Sequence, residues 1–236
     1  MNPERCREVY ATLDAAYGPQ GWWPAQTPFE VMVGAILTQN TAWINVERAL
    51  ERLTGRCPLT AESILALDEA ALADALRPSG YFNVKARRLR AFCQAFVDLG
   101  GFSGLAALDT QALRLRLLAI AGVGPETADD ILLYAFHRPV FVVDAYTRRV
   151  FTRLGLLRGD EGYETIRAVF ETALGPDVPC FNAYHALIVR HGKEVCRTRS
   201  RCDACCLSAG CPSRFSFLVS RKPLLDSADE NRKTEN

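Results

Sequence analysis

The sequence has little lysine and no long apolar run. Its lysines are Lys85, Lys193, Lys222 and Lys233, so arginine supplies the other 24 of the 28 basic side chains. No apolar run reaches the ~20 residues that a membrane-spanning helix needs, and the charged start "MNPERCREVY" lacks the apolar segment of a signal peptide. We therefore expect a soluble, cytoplasmic protein with no membrane partner. Because the formal net charge is only +1, any affinity for nucleic acid must come from local patches of charge.

The sequence also lacks internal repeats and a series of strand-like segments. Apolar residues recur at helical spacing, as in "FEVMVGAILTQNTAWINVERALERL", and the helical stretches end at glycine or proline. "PVFVVD" (139–144) has a strand-like composition but is short, and we interpret it as a buried connector. The sequence therefore predicts an all-α protein of one globular unit or two small lobes. The polar segment 220–236 predicts a disordered tail.

The glycines of "GVGP" predict a turn between two helices, a hairpin at about 113–136. Asp109 or Thr110 can cap the first helix, and Pro125 suits the first turn of the second. Gly122 and Gly124 allow backbone conformations and close approaches that a Cβ would prevent. Free N–H groups at the start of the second helix suit a phosphate group. The alternative is an ordinary turn between helices, which the motif alone favours.

Nine cysteines in such a chain favour metal binding over disulfides. Cys196, Cys202, Cys205 and Cys211 are separated by five, two and five residues. Four thiolates at this spacing bind a soft metal, either zinc, which the spacing alone slightly favours, or an iron–sulfur cluster. We interpret four other cysteines as free structural thiols: Cys6, Cys57, Cys93 and Cys180.

Several segments together resemble the helix-hairpin-helix DNA glycosylases of the endonuclease III family. They are "LLAIAGVGPETADDILLYAF", "VFVVDAYTRRVFTRLGL", "GAILTQNT" and "YHALIVRHGKEVC", and the resemblance covers about residues 20 to 212. It implies a bilobal helical fold, with a central lobe at 28–140 and a second lobe formed by 1–27 together with 141–212. It also implies a DNA-facing cleft between the lobes, and a monomer associated with the nucleoid. The expected partner is double-stranded DNA with a flipped damaged base.

The resemblance favours a 4Fe-4S cluster over zinc, because glycosylases of this family commonly carry one at this location. The family usually has one residue more in the first gap than the five found here. Cys206 lies beside Cys205, but only Cys205 preserves the later spacing. We expect a structural cluster that holds a loop containing Arg197, Arg199 and Arg201, which either faces phosphate or is a solvated surface.

In this family an apolar segment after the hairpin ends in a catalytic aspartate, and Asp144 in "VVDAYTRR" matches it. A carboxylate near the sugar can stabilise an oxocarbenium-like state and position water. The alternative role is the N-cap of the following helix, and Asp144 can serve both. Bifunctional members carry a lysine where this chain has Glu126, and a glutamate cannot form the Schiff base that permits strand cleavage. Glu126 has either a catalytic or base-contacting role, or is only a favourable charge at a helix N-terminus.

The base pocket is expected to use aromatic residues, because a flipped base is held by stacking. "GWWPAQTP", Trp43 and Glu126 resemble a 3-methyladenine glycosylase branch of the family, in which two aromatics sandwich the base. Trp22 and Trp43 match those positions, and indole faces attract the positive charge of alkylated purines. The alternative for Trp22 and Trp43 is that they only pack within the lobes, and this is the role that we expect for Trp23. Tyr146 is expected to line the pocket. Members of that branch can lack the four-cysteine cluster.

The resemblance also implies contacts to DNA outside the pocket. Gln39 matches a residue that fills the hole left by the flipped base, and Asn40 is its neighbour. "GYFNVKARRLR" resembles a DNA-facing loop, from which Lys85 and Arg88 would contact phosphate. The alternatives are a polar kink at Asn40 and a solvated basic helix at Lys85 and Arg88. Gly122 and Gly124 belong to the phosphate-binding hairpin.

These features predict a monofunctional DNA N-glycosylase of base excision repair, with an alkylated purine as the leading substrate and little or no lyase activity. One alternative is an endonuclease III-like enzyme that acts on oxidised pyrimidines with weak strand cleavage. The other is a non-catalytic binder of DNA structures that has kept the fold.

Overall fold

Helices form the regular secondary structure of residues 2–214, the part of the chain that the computed structural model describes. In chain order the α-helices are α1 (Pro3–Tyr17), α2 (Pro28–Leu37), α3 (Trp43–Thr54), α4 (Ala61–Ala66), α5 (Glu69–Leu76), α6 (Phe82–Asp98), α7 (Gly101–Ala106), α8 (Thr110–Leu118), α9 (Pro125–Asp130), α10 (Ala145–Arg153), α11 (Tyr163–Leu174) and α12 (Val178–Glu194). These residues contain no strand, and the predicted all-α class is confirmed. The predicted tail, 220–236, lies outside the described residues. No helix among residues 2–214 is long and apolar enough to cross a membrane.

Many of these helices begin at a capping side chain that the sequence supplies. The capping oxygen accepts a hydrogen bond from a backbone N–H three residues further on, at Thr27, Thr60, Asp68, Asp109, Asp144 and Asp177. Such caps pair N–H groups that the helix itself leaves free. At α8 the cap is Asp109 and not Thr110, which settles that alternative.

The second helix of the hairpin changes its hydrogen-bond pattern after Asp130. A π-helical turn at Ile131–Ala135 extends α9, and the N–H of Phe136 donates to the carbonyl of Ile131 at 3.3 Å. This i→i+5 spacing is that of a π-helix, which occurs mostly as a single turn within an α-helix and frequently at functional sites. The sequence predicted one helix to about Phe136, and the structure differs only in this last, wider turn.

The helices pack in two groups around one continuous apolar core. α1 packs on α11 and α12, and α10 packs on α12, whereas α3 packs on α5, and α4 and α5 pack on α6. Both α2 and α12 contact the π turn, so this turn joins the groups. The first group consists of helices from the predicted lobe 1–27 with 141–212, and the lobe boundaries themselves stay a prediction.

The connector before α10 is buried and irregular, as the sequence predicted. Val140–Val143 are buried, and the Phe141 ring stacks on Phe170 with centroids 4.2 Å apart. The N–H of Phe141 donates to the Glu171 carboxylate at 3.0 Å, and that of Val143 to the Tyr163 hydroxyl at 3.4 Å. Side-chain acceptors thus satisfy backbone groups that a sheet would otherwise pair, and the connector leads to Asp144 through the core.

Candidate functional site

A cleft of about 730 Å³ lies between the hairpin turn and the start of α10. It brings together seven of the predicted site residues: Gln39, Asn40, Arg88, Gly122, Gly124, Glu126 and Asp144. The hairpin and Asp144 therefore border the same concave surface, although they come from different parts of the chain.

Asp144 lies at the end of the buried connector and caps α10. Its Oδ1 accepts hydrogen bonds from the Thr147 N–H at 2.7 Å and from the Thr147 hydroxyl at 2.8 Å. Its Oδ2 faces Nε2 of His185 at 3.7 Å. Burial acts to raise the pKa of Asp144, but His185 and Thr147 outweigh burial, and the pKa lies below its ordinary value. Asp144 is therefore ionised at neutral pH.

Two further carboxyl groups in the cleft have pKa values shifted the opposite way. The cleft walls partly remove the Glu126 carboxyl group from water, and this burial, together with the nearby charge of Asp144, raises its pKa to about 7. The residue as a whole is nevertheless exposed. Burial, with Glu126 and Asp144 nearby, raises the pKa of Asp130 well above its ordinary value. Asp130 is 7% exposed, and its Oδ1 has no hydrogen-bond partner among the described residues. The cleft thus combines one ionised carboxylate with two carboxyl groups whose pKa values are raised, the arrangement expected for separate acid and base roles.

The neighbouring Asp129 has a different, structural role. It is fully buried, and Arg114 donates to its two carboxylate oxygens at 2.6 Å and 3.2 Å. Arg114 also donates to Glu164 of α11 at 2.7 Å. A bidentate arginine–carboxylate pair is strongly directional, so these contacts fix the two helices of the hairpin, α8 and α9, to each other and to α11.

The hairpin turn is held by two residues that were predicted to contact DNA. Nε2 of Gln39 donates to the carbonyl of Gly122 and to the Thr127 hydroxyl, each at 3.0 Å, and Oε1 of Gln39 accepts from Arg88. Gly122 has a φ of 89°, and a Cβ there would collide with the Arg88 side chain, so the turn requires glycine at this position. No atom lies within 4 Å of where a Cβ on Gly124 would be, and its backbone borders the open cleft.

The four predicted cluster ligands line a separate small cavity: Cys196, Cys202, Cys205 and Cys211. Nη1 of Arg153 lies 3.4 Å from the Cys196 sulfur, and Nε2 of His191 lies 3.7 Å from the Cys205 sulfur. Cys206 is exposed and does not line this cavity. Within residues 2–214 no three His, Cys, Asp or Glu side chains converge closely enough to hold a single metal ion.

A family model described as HhH-GPD superfamily base excision DNA repair protein matches residues 33–176. The matched region covers more than half of the chain and includes the hairpin and Asp144. This chain belongs to the HhH-GPD superfamily of DNA repair glycosylases. The predicted membership of the endonuclease III group is confirmed.

Three comparisons show proteins to which this chain is similar. A Methanocaldococcus jannaschii protein named as a candidate DNA repair glycosylase is 46% identical over 214 residues, which cover 89% of this chain and 97% of that protein. A solved complex of endonuclease III with DNA matches with a TM-score of 0.80 at 21% identity, over 93% of this chain and 99% of the other. The H. pylori 3-methyladenine DNA glycosylase bound to 1,N6-ethenoadenine matches with a TM-score of 0.71 at 28% identity, over 82% of this chain and 98% of the other.

Lys85 of the glycosylase does not contact solvent, so its predicted phosphate contact is wrong. It is 1% exposed, and its ammonium donates to the carbonyls of Leu37 at 2.8 Å and Ser79 at 2.6 Å. Burial, with Arg88 nearby, lowers its pKa to about 8. Lys85 instead holds the loop that follows α2 against the turn that precedes α6, and so places Gln39 and Asn40 at the cleft. Asn40 itself has a φ of 54°.

The tryptophans form one cluster that does not line this cleft, and Trp43 lines a different cavity together with Glu30 and Glu47. The Trp23 ring contacts Trp22, with centroids 6.1 Å apart, and Trp43, with centroids 5.1 Å apart. Nε1 of Trp43 donates to Glu47 at 2.8 Å, and the ammonium of Lys193 lies 5.6 Å from the centre of the Trp22 ring. Trp22 and Trp43 are partly buried against the core.

Tyr146 of α10 also lies outside the cleft lining and packs on α12. Its ring covers Gly192, where a Cβ would lie too close to the ring, and the guanidinium of Arg149 is 5.0 Å from the ring centre. The glycine therefore permits the close contact between the two helices that flank Asp144.

Sequence analysis missed three residues near Asp144: Asp130, Tyr134 and His185. Asp130 had a usable signal, because it follows Glu126 by four positions and so shares its helix face. Tyr134 and His185 are 51 residues apart in the chain but 2.6 Å apart in the structure. No local sequence pattern predicts such a pair, because only the fold brings the two side chains together.

Proposed function

We propose that this protein is a monofunctional DNA N-glycosylase that releases a damaged base, with an alkylated purine as its leading substrate. The observation that carries the proposal is the ionised carboxylate of Asp144 in the same cleft as the hairpin. As the bond between C1′ and the base nitrogen breaks, its electron pair leaves with the base and positive charge develops on the sugar. Asp144 stabilises that charge and accepts a proton from the water that adds to C1′. Glu126, with a pKa of about 7, is the nearby acid that can protonate or contact the leaving base.

The DNA strand would be anchored by the hairpin. The backbone at Gly124 and Glu126 borders the cleft without an obstructing side chain at Gly124, so N–H groups at the start of α9 can approach a phosphate. Arg88 and Arg148 line the same cleft and supply positive charge. Gln39, already at the turn, is the candidate to fill the hole left by the flipped base.

Trp22 and Trp43 stay our candidates for base stacking, and Tyr146 stays a candidate for lining the pocket. Because Trp23 contacts both tryptophan rings, a base stacked on either ring would displace Trp23 or use the ring's other face. Support for an alkylated purine comes from the H. pylori 3-methyladenine glycosylase, which binds 1,N6-ethenoadenine and is 28% identical to this chain. Stacking of a cationic purine on indole also suits the chemistry of methylated bases.

A lesion screen tests this function. Duplexes with methylated purines, 1,N6-ethenoadenine or oxidised pyrimidines are scored separately for free base and for nicked strand. We expect release of an alkylated purine without nicking. Release of oxidised pyrimidines alone would support the endonuclease III-like alternative, and no release from any duplex would support a DNA-structure binder.

We propose further that Cys196, Cys202, Cys205 and Cys211 hold a 4Fe-4S cluster. All four sulfurs line one cavity, and thiolates are the ligands that such clusters use. The resemblance to the endonuclease III family favours this cluster over zinc, because members of that family commonly carry one at this location. When bound, the cluster would cross-link the loop 196–211. Arg153, beside the Cys196 sulfur, would stabilise thiolate charge.

The adjacent cysteines provide a matched test of the ligand set. We expect Cys205→Ser to remove the broad visible absorbance of the purified protein and to lower its melting temperature, because one iron–thiolate bond is lost. Cys206→Ser should leave both unchanged, since Cys206 is exposed and lies outside the cavity. Iron and sulfide analysis of both variants checks the result. If Cys206→Ser loses the absorbance and Cys205→Ser keeps it, Cys206 and not Cys205 is the cluster ligand.

A further inference from the structure

Three buried side chains form a line that ends on Asp144. The Tyr134 hydroxyl lies 2.6 Å from Nδ1 of His185, and Nε2 of His185 lies 3.7 Å from Oδ2 of Asp144. Tyr134 is 6% exposed, His185 4% and Asp144 9%. The residues come from the π turn, α12 and α10, so the line crosses the junction between the two groups of helices.

The direction of the hydrogen bonds along this line follows from chemistry. Burial keeps the phenol protonated by raising the pKa of Tyr134 well above its ordinary value. The protonated phenol has a proton to donate, and Nδ1 of His185 lies 2.6 Å from its oxygen, so we orient the phenol proton towards Nδ1. A neutral imidazole that accepts at Nδ1 carries its proton on Nε2, which faces Asp144.

Two polar atoms face each other across the gap between His185 and Asp144. Nε2 of His185 is buried and has no hydrogen-bond partner among the described residues. Both hydrogen bonds that Asp144 accepts from Thr147 go to Oδ1, so Oδ2 remains for His185 or a ligand. The gap of 3.7 Å is longer than a hydrogen bond, and such links often tighten only when substrate binds.

We propose that His185, oriented by Tyr134, is a positioning residue that presents its Nε2–H to Oδ2 of Asp144 and keeps that carboxylate ionised during base release. The proposal rests on the proposed glycosylase function. The other groups around Asp144 make such a donor necessary. Glu126 and Asp130 of the hairpin add negative charge when ionised, while Tyr146 and Arg148 lie on the same helix as the Asp144 cap. Without a donor on Oδ2, a carboxylate buried beside two acids would tend to take up a proton.

The tautomer of His185 can be measured without substrate. The full chain has three histidines, His137, His185 and His191, so the imidazole nitrogens can be assigned by ¹⁵N NMR on the whole protein. We expect His185 to carry its proton on Nε2 in the wild type and to become a mixture of tautomers in Tyr134→Phe. His137, which is exposed and is not one of the three residues of the line, should keep its signals in that variant and serves as the internal comparison.

The rate of base release against pH provides the second readout. In Tyr134→Phe we expect a loss of about tenfold, the lower end of what removing an orienting partner causes at metal sites. The acid limb of the profile should move to higher pH, because Asp144 then protonates more readily. His185→Gln, which keeps an N–H donor, should retain more activity than His185→Leu. Tyr10→Phe, which removes the hydroxyl of a tyrosine on α1 whose ring packs on Tyr184, is the control for loss of a phenol oxygen.

Two results would overturn this assignment. One is a wild-type His185 with its proton on Nδ1. The other is a Tyr134→Phe variant with an unchanged tautomer and an unchanged pH profile. If the wild type releases no base from any lesion, the proposed function fails. The tautomer measurement still decides whether Tyr134 orients His185 so that its Nε2–H faces Asp144.

Discussion

Replacing Asp144 with asparagine is expected to slow base release at least about 100-fold, the typical loss when one electrostatic stabiliser of a developing charge is removed. The substitution removes the negative charge and keeps the shape. Asparagine caps helices as well as aspartate does, so its side-chain oxygen can still accept from the Thr147 N–H, as Oδ1 of Asp144 does at 2.7 Å. Single-turnover rates of base release, measured with circular dichroism melting of the same protein, check both parts of the expectation.

Asp109→Asn is the matched control for this experiment. Asp109 also caps a helix, with its Oδ1 accepting from the N–H of Ala112 at 2.8 Å, but it lies on α8 and not in the cleft. We expect this variant to keep the wild-type rate and melting temperature. If Asp144→Asn folds normally and releases base as fast as Asp109→Asn does, Asp144 is only a cap and the proposed mechanism is wrong.

The parts of the site that sequence analysis predicted correctly depend on short-range patterns. The turn at Gly122, the cap at Asp109 and the buried connector before Asp144 are each fixed by a few adjacent residues. Backbone conformation, capping and local burial act over such distances. The cleft itself follows from these pieces only because a known family arranges them in the same order.

The errors and omissions concern side chains whose partners lie far along the chain. Lys85 stands in an arginine-rich stretch, and its charge suggested a surface position. Its ammonium is buried because the carbonyls of Leu37 and Ser79 come together around it, and sequence spacing does not show that two helix ends will meet. His185 was missed for the same reason, since its contacts with Tyr134 and Asp144 exist only after α10 and α12 have packed.

Replacing Glu126 with lysine is expected to create a covalent borohydride adduct on abasic DNA, at least about tenfold above the wild-type level. A Schiff base requires an amine near C1′, and the wild-type cleft has no lysine among its lining residues. Glu126 lies in that cleft close enough to Asp144 for each to affect the other's charge. An amine placed there would lie beside the carboxylate that is proposed to stabilise the sugar cation. Gel shift of the trapped protein–DNA species measures the adduct.

Asp130 is expected to limit the yield of this adduct. It follows Glu126 by one helical turn. An ammonium at position 126 would favour the ionised form of Asp130, and that carboxylate would in turn hold the ammonium in its charged, non-nucleophilic form. The double variant Glu126→Lys/Asp130→Asn should therefore trap more DNA than Glu126→Lys alone, with the larger difference at neutral than at alkaline pH. Glu126→Gln has no amine, and Glu62→Lys places one on α4 away from the cleft, so neither should trap DNA above the wild-type level. Strong trapping by the wild-type protein itself would mean that another amine reaches the sugar, and the monofunctional assignment would then be wrong.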